Sequence, residues 1–208
     1  ILMEGLYDQP GKRVTPRTPA VLPPFDGYRL DRLGLVDWLV SKENPLFARV
    51  SVNRLWQQFF GYGLVKTPDN FGLQGELPSH PELLDWLAKD FINHKWDLHQ
   101  TIKKIVLSAT YGQSSTHRPE LEDPENRSLS RGSSFRLPAE MIRDQALATS
   151  GLLSKKVGGP SVMPYQPDGV WSDLNAPPHQ REFYVQSKGG NLYRKSLYTY
   201  WRRAVLHP

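Results

Sequence analysis

A helix with a polar row on one side, followed by a long loop punctuated by glycine and proline, constrains this chain most. The stretch runs from Asn44 to Glu82, NPLFARVSVNRLWQQFFGYGLVKTPDNFGLQGELPSHPE. Asn44 can cap free backbone N–H groups. Pro45 at a first helical position gives up a donor that would be unpaired anyway. Leu46, Val50, Leu55 and Phe59 then recur near one face at helical spacing, flanked by Phe47, Val52 and Trp56. Gly61 can take the left-handed conformation that ends a helix. Arg49, Asn53 and Gln57 form a row four residues apart on the other side, with Arg54 beside it. Such a row reads either as a solvated face that also pins the next loop or as a ligand-facing surface.

The loop from Gly61 to Pro78 spans about 18 residues, long for a compact domain. Loops of that length are functional or tightly packed by their own side chains. Val65, Phe71 and Leu73 are the residues placed to anchor it. Ser79-His80-Pro81-Glu82 has the spacing of a capping box, which gives Glu82 a structural task and competes with acid/base use of His80 and Glu82.

Helical patterns dominate the rest. Arg32 to Ser41 predicts a helix with Leu35, Trp38 and Leu39 inward. Pro81 to about His94 is strongly amphipathic, with a stripe of Leu83, Leu84, Leu87 and Phe91 widened by Trp86 and Ile92. Asp97 followed by Gln100 opens a helix to about Ala109, with Leu98, Ile102, Ile105 and Val106 on its core face. The polar stretch 111–136 has room for one short helix after Pro124. Pro138 opens the last helix, through about Thr149, and Gly151 ends it. Ile1 to Asp8 reads as a short strand, and Leu197, Thr199 and Trp201 alternate like another, with a short helix as the alternative there. The expected fold is therefore mainly α: about five helices in a compact domain, with long ordered loops and a small β element at the ends. Residues 1–28 are expected to be an extended proline-rich segment, and 29–208 a single helical domain.

Candidate chemistry is sparse. Glu140 and Asp144 lie four apart on one helix face, where like charges need a reason. Arg131, Arg136 or Arg143 neutralises them, or they form a carboxylate pair for acid/base work. His80 and Glu82 complete the catalytic candidates. Arg49, Asn53, Arg54, Gln57, Arg143, Tyr198 and Trp201 are the candidate ligand-binding residues. Arg194, Lys195, Arg202 and Arg203 make the C-terminal end basic and aromatic, which suits polyanions, sugar rings or an ordinary edge strand. Gly158-Gly159-Pro160-Ser161 lacks the strand and helix context of a phosphate loop and reads as a turn. His94 and His99 sit about 140° apart on a helix, a poor metal pair, and no metal site is expected.

Composition narrows the classes. The chain has no cysteine, which removes disulfides, thiolate zinc sites, covalent haem attachment and cysteine nucleophiles. No run of about 18 apolar residues exists to span a membrane. The net charge is +5 and uneven, −1 over residues 1–100 and +6 over 101–208. That admits an acidic partner but falls short of a nucleic-acid signature, so nucleic acid is not an expected partner. Ile-Leu-Met-Glu at the start and Leu-His-Pro at the end suggest a fragment of a longer protein.

Longer blocks carry a family resemblance. RLGLVDWLVSKENPLFARVSVNRLWQQFFGYGLVKTPDNFG, QGELPSHPELLDWLA, IVLSATYGQSS, RLPAEMIRDQALATSGLL, GGPSVMPYQP and LYRKSLYTYW occur in that order. Together they resemble the planctomycete-specific domain of unknown function near the C-terminus of large planctomycete cytochrome-c-like proteins. The resemblance implies an extracytoplasmic location and a haem-bearing neighbouring module. The haem would not sit in this chain, which has no Cys-x-x-Cys-His. It also implies that the domain continues past Trp201 beyond Pro208. It supplies no catalytic residues. The expected function is a non-catalytic binding or scaffold module of a secreted multidomain cytochrome-c-associated protein, for a glycan or a protein partner, other domains of the same protein included. The alternative is a polysaccharide-acting enzyme with a carboxylate/His acid–base site.

Overall fold

Helix starts in this chain are marked by Asn, Asp and Pro, and the backbone follows those marks closely. The structure is a computed structural model. It describes all residues except 1–4, 6, 16, 117–118, 168–183 and 202–208. Among the described residues there are five α-helices: α1 (Arg32–Leu39), α2 (Phe47–Phe60), α3 (Pro81–Asn93), α4 (Leu98–Val106) and α5 (Ala139–Thr149). The mainly α expectation holds. The chain divides into two compact units, 1–135 and 136–208.

The first unit is built on α2 against α3, with α4 closing one side. Its core is Ala48, Val52, Trp56 and Phe60 from α2, Leu84, Leu87, Ala88 and Phe91 from α3, and Ile105 from α4. Trp56 and Phe60 stack with ring centroids 4.1 Å apart. Burying side chains of this size contributes about 1.5–3 kcal/mol each before entropy is counted.

The buried face of α2 differs from the expected one. Residues 48, 52, 56 and 60 face the core, and Leu55 and Phe59 only flank it. Small Ala48 and polar Asn53 lie on the buried side, and neither carries a strong hydrophobic signal. Two neighbouring faces shift in the same way. Leu35 on α1 is exposed while Gly34 and Trp38 are buried. On α4, Leu98 is exposed while Thr101 is buried. Thr101 tolerates burial because its Oγ1 donates to the Asp97 carbonyl at 3.0 Å.

Capping explains the helix starts. Asp97 accepts from the Gln100 N–H at 3.0 Å, as its spacing predicts. Asn44 Oδ1 accepts from the N–H groups of Leu46 and Phe47, so it serves the first turn although α2 begins at Phe47. The capping box at Ser79 does not form. His80 is the N-cap and makes no capping bond through its side chain. Ser79 instead gives both its N–H and its hydroxyl to the Leu64 carbonyl, at 2.9 and 3.3 Å. Glu82 keeps a role in the first turn of α3, where a carboxylate faces the positive end of the helix dipole.

The proline-rich segment joins α1. Trp38 Nε1 donates to the Pro23 carbonyl at 3.0 Å, and the Trp38 ring approaches Phe25 at 6.3 Å. Most of the expected N-terminal strand lies outside the described residues; Tyr7 and Asp8 form a turn. The short helix of the polar stretch is a 3-10 turn at Pro119–Leu121, before Pro124 rather than after it.

In the second unit α5 lies between Pro138 at its N-cap and Gly151 (φ 76°) just past its C-cap, as these boundary residues predict. The C-terminal strand pattern is corrected. Gly189–Tyr193 and Ser196–Tyr198 are 3-10 turns. Among the described residues here, two isolated parallel bridges form, Ser154 with Arg194 and Val162 with Thr199. The alternating residues are real, but each 3-10 turn breaks the ladder before it can extend.

Candidate functional site

The polar row of α2 turns inward. Asn53 is 0% exposed, and its side-chain amide makes a two-way bond with one backbone residue. Nδ2 donates to the Val65 carbonyl at 3.0 Å and Oδ1 accepts from the Val65 N–H at 2.9 Å. The side chain thus completes the backbone bonding of the long loop as a strand neighbour would. Arg49 Nε lies 2.6 Å from Asp85 Oδ1 and ties α2 to α3. The hydrogen bond from Arg49 holds the Asp85 carboxyl below its ordinary pKa. Arg54 pairs with Asp69 at 3.0 Å on the open surface, where such pairs contribute little. Gln57 is half-buried.

The far side of the same loop is held by residues the sequence did not single out. Arg127 donates to the carbonyls of Gly63 and Leu64 at 2.8 and 3.1 Å. Lys66 meets Glu125 at 2.7 Å. Leu64 and Val65 are buried, and Phe71 packs against the core, but Leu73 is fully exposed and anchors nothing. Nothing in spacing or periodicity marks Arg127, because its partners are carbonyls more than sixty residues away.

Arg127 depends on Asp123. Burial pushes the Asp123 carboxyl up, but the N–H groups of Ser128 and Arg127, with Ser130, bring it below its ordinary value of 3.8. A lowered carboxylate stabilises fully above its unfolded-state value and loses that contribution as pH falls through the folded one. The loop 123–131 is therefore expected to loosen only below about pH 4. Amide exchange at Arg127 and Ser128 checks this: it should rise in acid, and Asp123→Ala should remove the pH dependence.

His80 and Glu82 do not form a working pair. His80 Nδ1 lies 3.0 Å from Ser79 Oγ and makes no hydrogen bond with Glu82. Glu82 is exposed. Glu140 and Asp144 belong to the other unit and also part company. Glu140 is exposed in the first turn of α5. Asp144 Oδ1 accepts from both the N–H and the hydroxyl of Ser196, each at 2.8 Å. Arg143 lies 3.6 Å from the same oxygen and donates to Ser196 Oγ and to the carbonyls of Arg194 and Leu192. Arg143 and Asp144 together bind the C-terminal turns to α5.

Arg194 is the least expected residue. It is 1% exposed. Its guanidinium donates to the carbonyls of Gly158, Pro160 and Lys156 at 2.6, 3.2 and 3.4 Å. It lies 3.9 Å from the Tyr198 ring centroid. Tyr198 Oη accepts from the Gly158 N–H at 3.0 Å. The Gly158–Ser161 turn is thus a carbonyl cradle for a buried cation. Trp201 is 69% exposed; Arg202 and Arg203 lie outside the described residues.

The helix of this unit leaves an apolar face open. None of the eleven residues of α5 is buried. Ala139, Ile142 and Ala146 form a stripe at helical spacing along a groove of about 680 Å³, whose other walls include Leu147, Pro164, Tyr165 and Tyr193. Among the described residues no group of three or more His, Asp or Glu gathers as a metal site, and no helix is long and apolar enough to cross a membrane.

These features define a mainly helical module whose polar side chains hold its own backbone and whose last helix leaves an apolar face open. Over residues 31–208 the chain matches the family PSD1, described as a protein of unknown function (DUF1553), and it belongs to that family. No curated protein and no solved structure matches it.

Proposed function

We propose that this chain is a non-catalytic binding or scaffold module that receives a protein partner in the α5 groove. The observation that carries this reading is the open apolar stripe of α5. Exposed apolar surface that lines a groove is the usual mark of a binding face. Asp144, by contrast, already accepts two hydrogen bonds from Ser196, which leaves it poorly placed as an acid or base. The resemblance to planctomycete cytochrome-c-like proteins extends the proposal: the module works outside the cytoplasm, beside a haem-bearing module of the same protein.

The test is a thermal-shift screen of the chain and its Ile142→Asp variant against defined peptides and against neutral and sulfated oligosaccharides. A ligand that binds only the folded state raises the melting temperature. Ile142 is 46% exposed, so the substitution should leave the unliganded chain near its own melting temperature. The reading predicts a peptide-induced rise that Ile142→Asp removes. Shifts that survive the substitution would contradict it, as would turnover of an oligosaccharide lost in Glu140→Gln.

A further inference from the structure

The second unit also carries all of the chain's net charge. Residues 1–135 hold equal numbers of basic and acidic side chains, whereas 136–208 hold ten Lys and Arg against five Asp and Glu. Among the described residues of this unit, Arg136, Lys155, Lys156, Lys188 and Lys195 are exposed, and none of them forms an ion pair. Glu140 is the one exposed carboxylate among the described residues there. Two of these cations follow the groove walls closely in sequence. Lys188 comes two residues after Gln186, and Lys195 two after Tyr193, both of which line the groove.

From this we infer that the α5 groove takes an acidic partner segment, a stretch of polypeptide with apolar anchors set among aspartates and glutamates. The inference rests on the binding-module reading above. The apolar stripe would seat the anchors, and the unpaired lysines would steer and hold the carboxylates. A sugar fits less well. Arg143, the cation in the groove wall, spends its guanidinium on the carbonyls of Leu192 and Arg194, and most of the rest of the wall is aliphatic: Ala139, Ile142, Ala146, Leu147, Pro164 and Leu192.

Fluorescence anisotropy with three short labelled peptides tests it. One carries leucine and phenylalanine anchors among Asp and Glu. The second keeps the anchors among Ser and Asn. The third keeps the acids and replaces the anchors by Ala. The full chain should bind the first peptide alone with appreciable affinity. Lys188→Glu with Lys195→Glu should weaken that binding by about tenfold, roughly 1.4 kcal/mol, and Ile142→Asp should abolish it. Equal binding of the neutral anchored peptide would overturn the acidic partner while leaving the groove reading intact. Equal binding of the unanchored acidic peptide, or of a sulfated oligosaccharide in its place, would reduce the surface to a nonspecific basic one and overturn the inference. Binding of none of the three would overturn it as well. In that case the Ile142→Asp comparison in the thermal-shift screen would still decide the module reading by itself.

Discussion

Asn53→Ala is expected to destabilise the first unit by about 3 kcal/mol, more than any exposed substitution on α2. The cost comes from what the side chain leaves behind. Val65 is 2% exposed, and both of its backbone groups are paired with the Asn53 amide. Truncation strands a donor and an acceptor in the core, each at about 1–3 kcal/mol. The surroundings cannot close in easily, because Gly63 already approaches as near as a residue without a side chain allows. A Cβ built there would fall 2.5 Å from Asn53 Nδ2 and 2.6 Å from the Val65 carbonyl oxygen. Asn53→Leu restores volume but no partner, so it should be nearly as costly. Arg54→Ala, which removes only the exposed pair with Asp69, should stay within about 0.5 kcal/mol of wild type. Urea unfolding checks both: a lower midpoint at unchanged slope for Asn53→Ala, and no change for Arg54→Ala. Wild-type stability in Asn53→Ala would contradict a structural role for this amide.

Arg194→Met should destabilise the second unit by about 2–3 kcal/mol, and Arg194→Lys should recover little of that. A buried guanidinium is tolerated here because three carbonyls and an aromatic face replace most of its water, with Nε left unpartnered. Methionine fills the space but leaves the Gly158 carbonyl without its shortest bond. Lysine keeps the charge as a point and cannot span the same acceptors. The lesion should spread to the adjoining bridges, where Ser154 donates to the Tyr193 carbonyl and Tyr200 to that of Val162. Amide exchange at Ser154, Val162 and Tyr200 should therefore quicken in both variants. If Arg194 were a surface cation awaiting a polyanion, Arg194→Lys would be as stable as wild type.

Helix ends were legible because their signals are local. Asp97, Pro138 and Gly151 act on backbone groups within a few residues, so their types and positions suffice. The errors share a different cause, partners far away in sequence. Ser79 abandons its capping box because the Leu64 carbonyl, fifteen residues back, needs a donor. Asn53 does pin the next loop, as one reading of the row has it, but from the buried side of α2 and not from a solvated face. Arg194 had the composition of an edge-strand cation, and only its carbonyl cradle distinguishes it. The α5 groove was hidden for the opposite reason. Ala139, Ile142 and Ala146 have the pattern of an ordinary core face, and periodicity cannot tell a buried stripe from an open one.

That open stripe is the centre of the account. Its most direct test is hydrogen–deuterium exchange of the full chain with and without saturating anchored acidic peptide. The account predicts new protection confined to 139–147, 164–165 and 186–193, with α2 unchanged. Protection along Arg49, Asn53 and Gln57 instead, or none in α5, would contradict it.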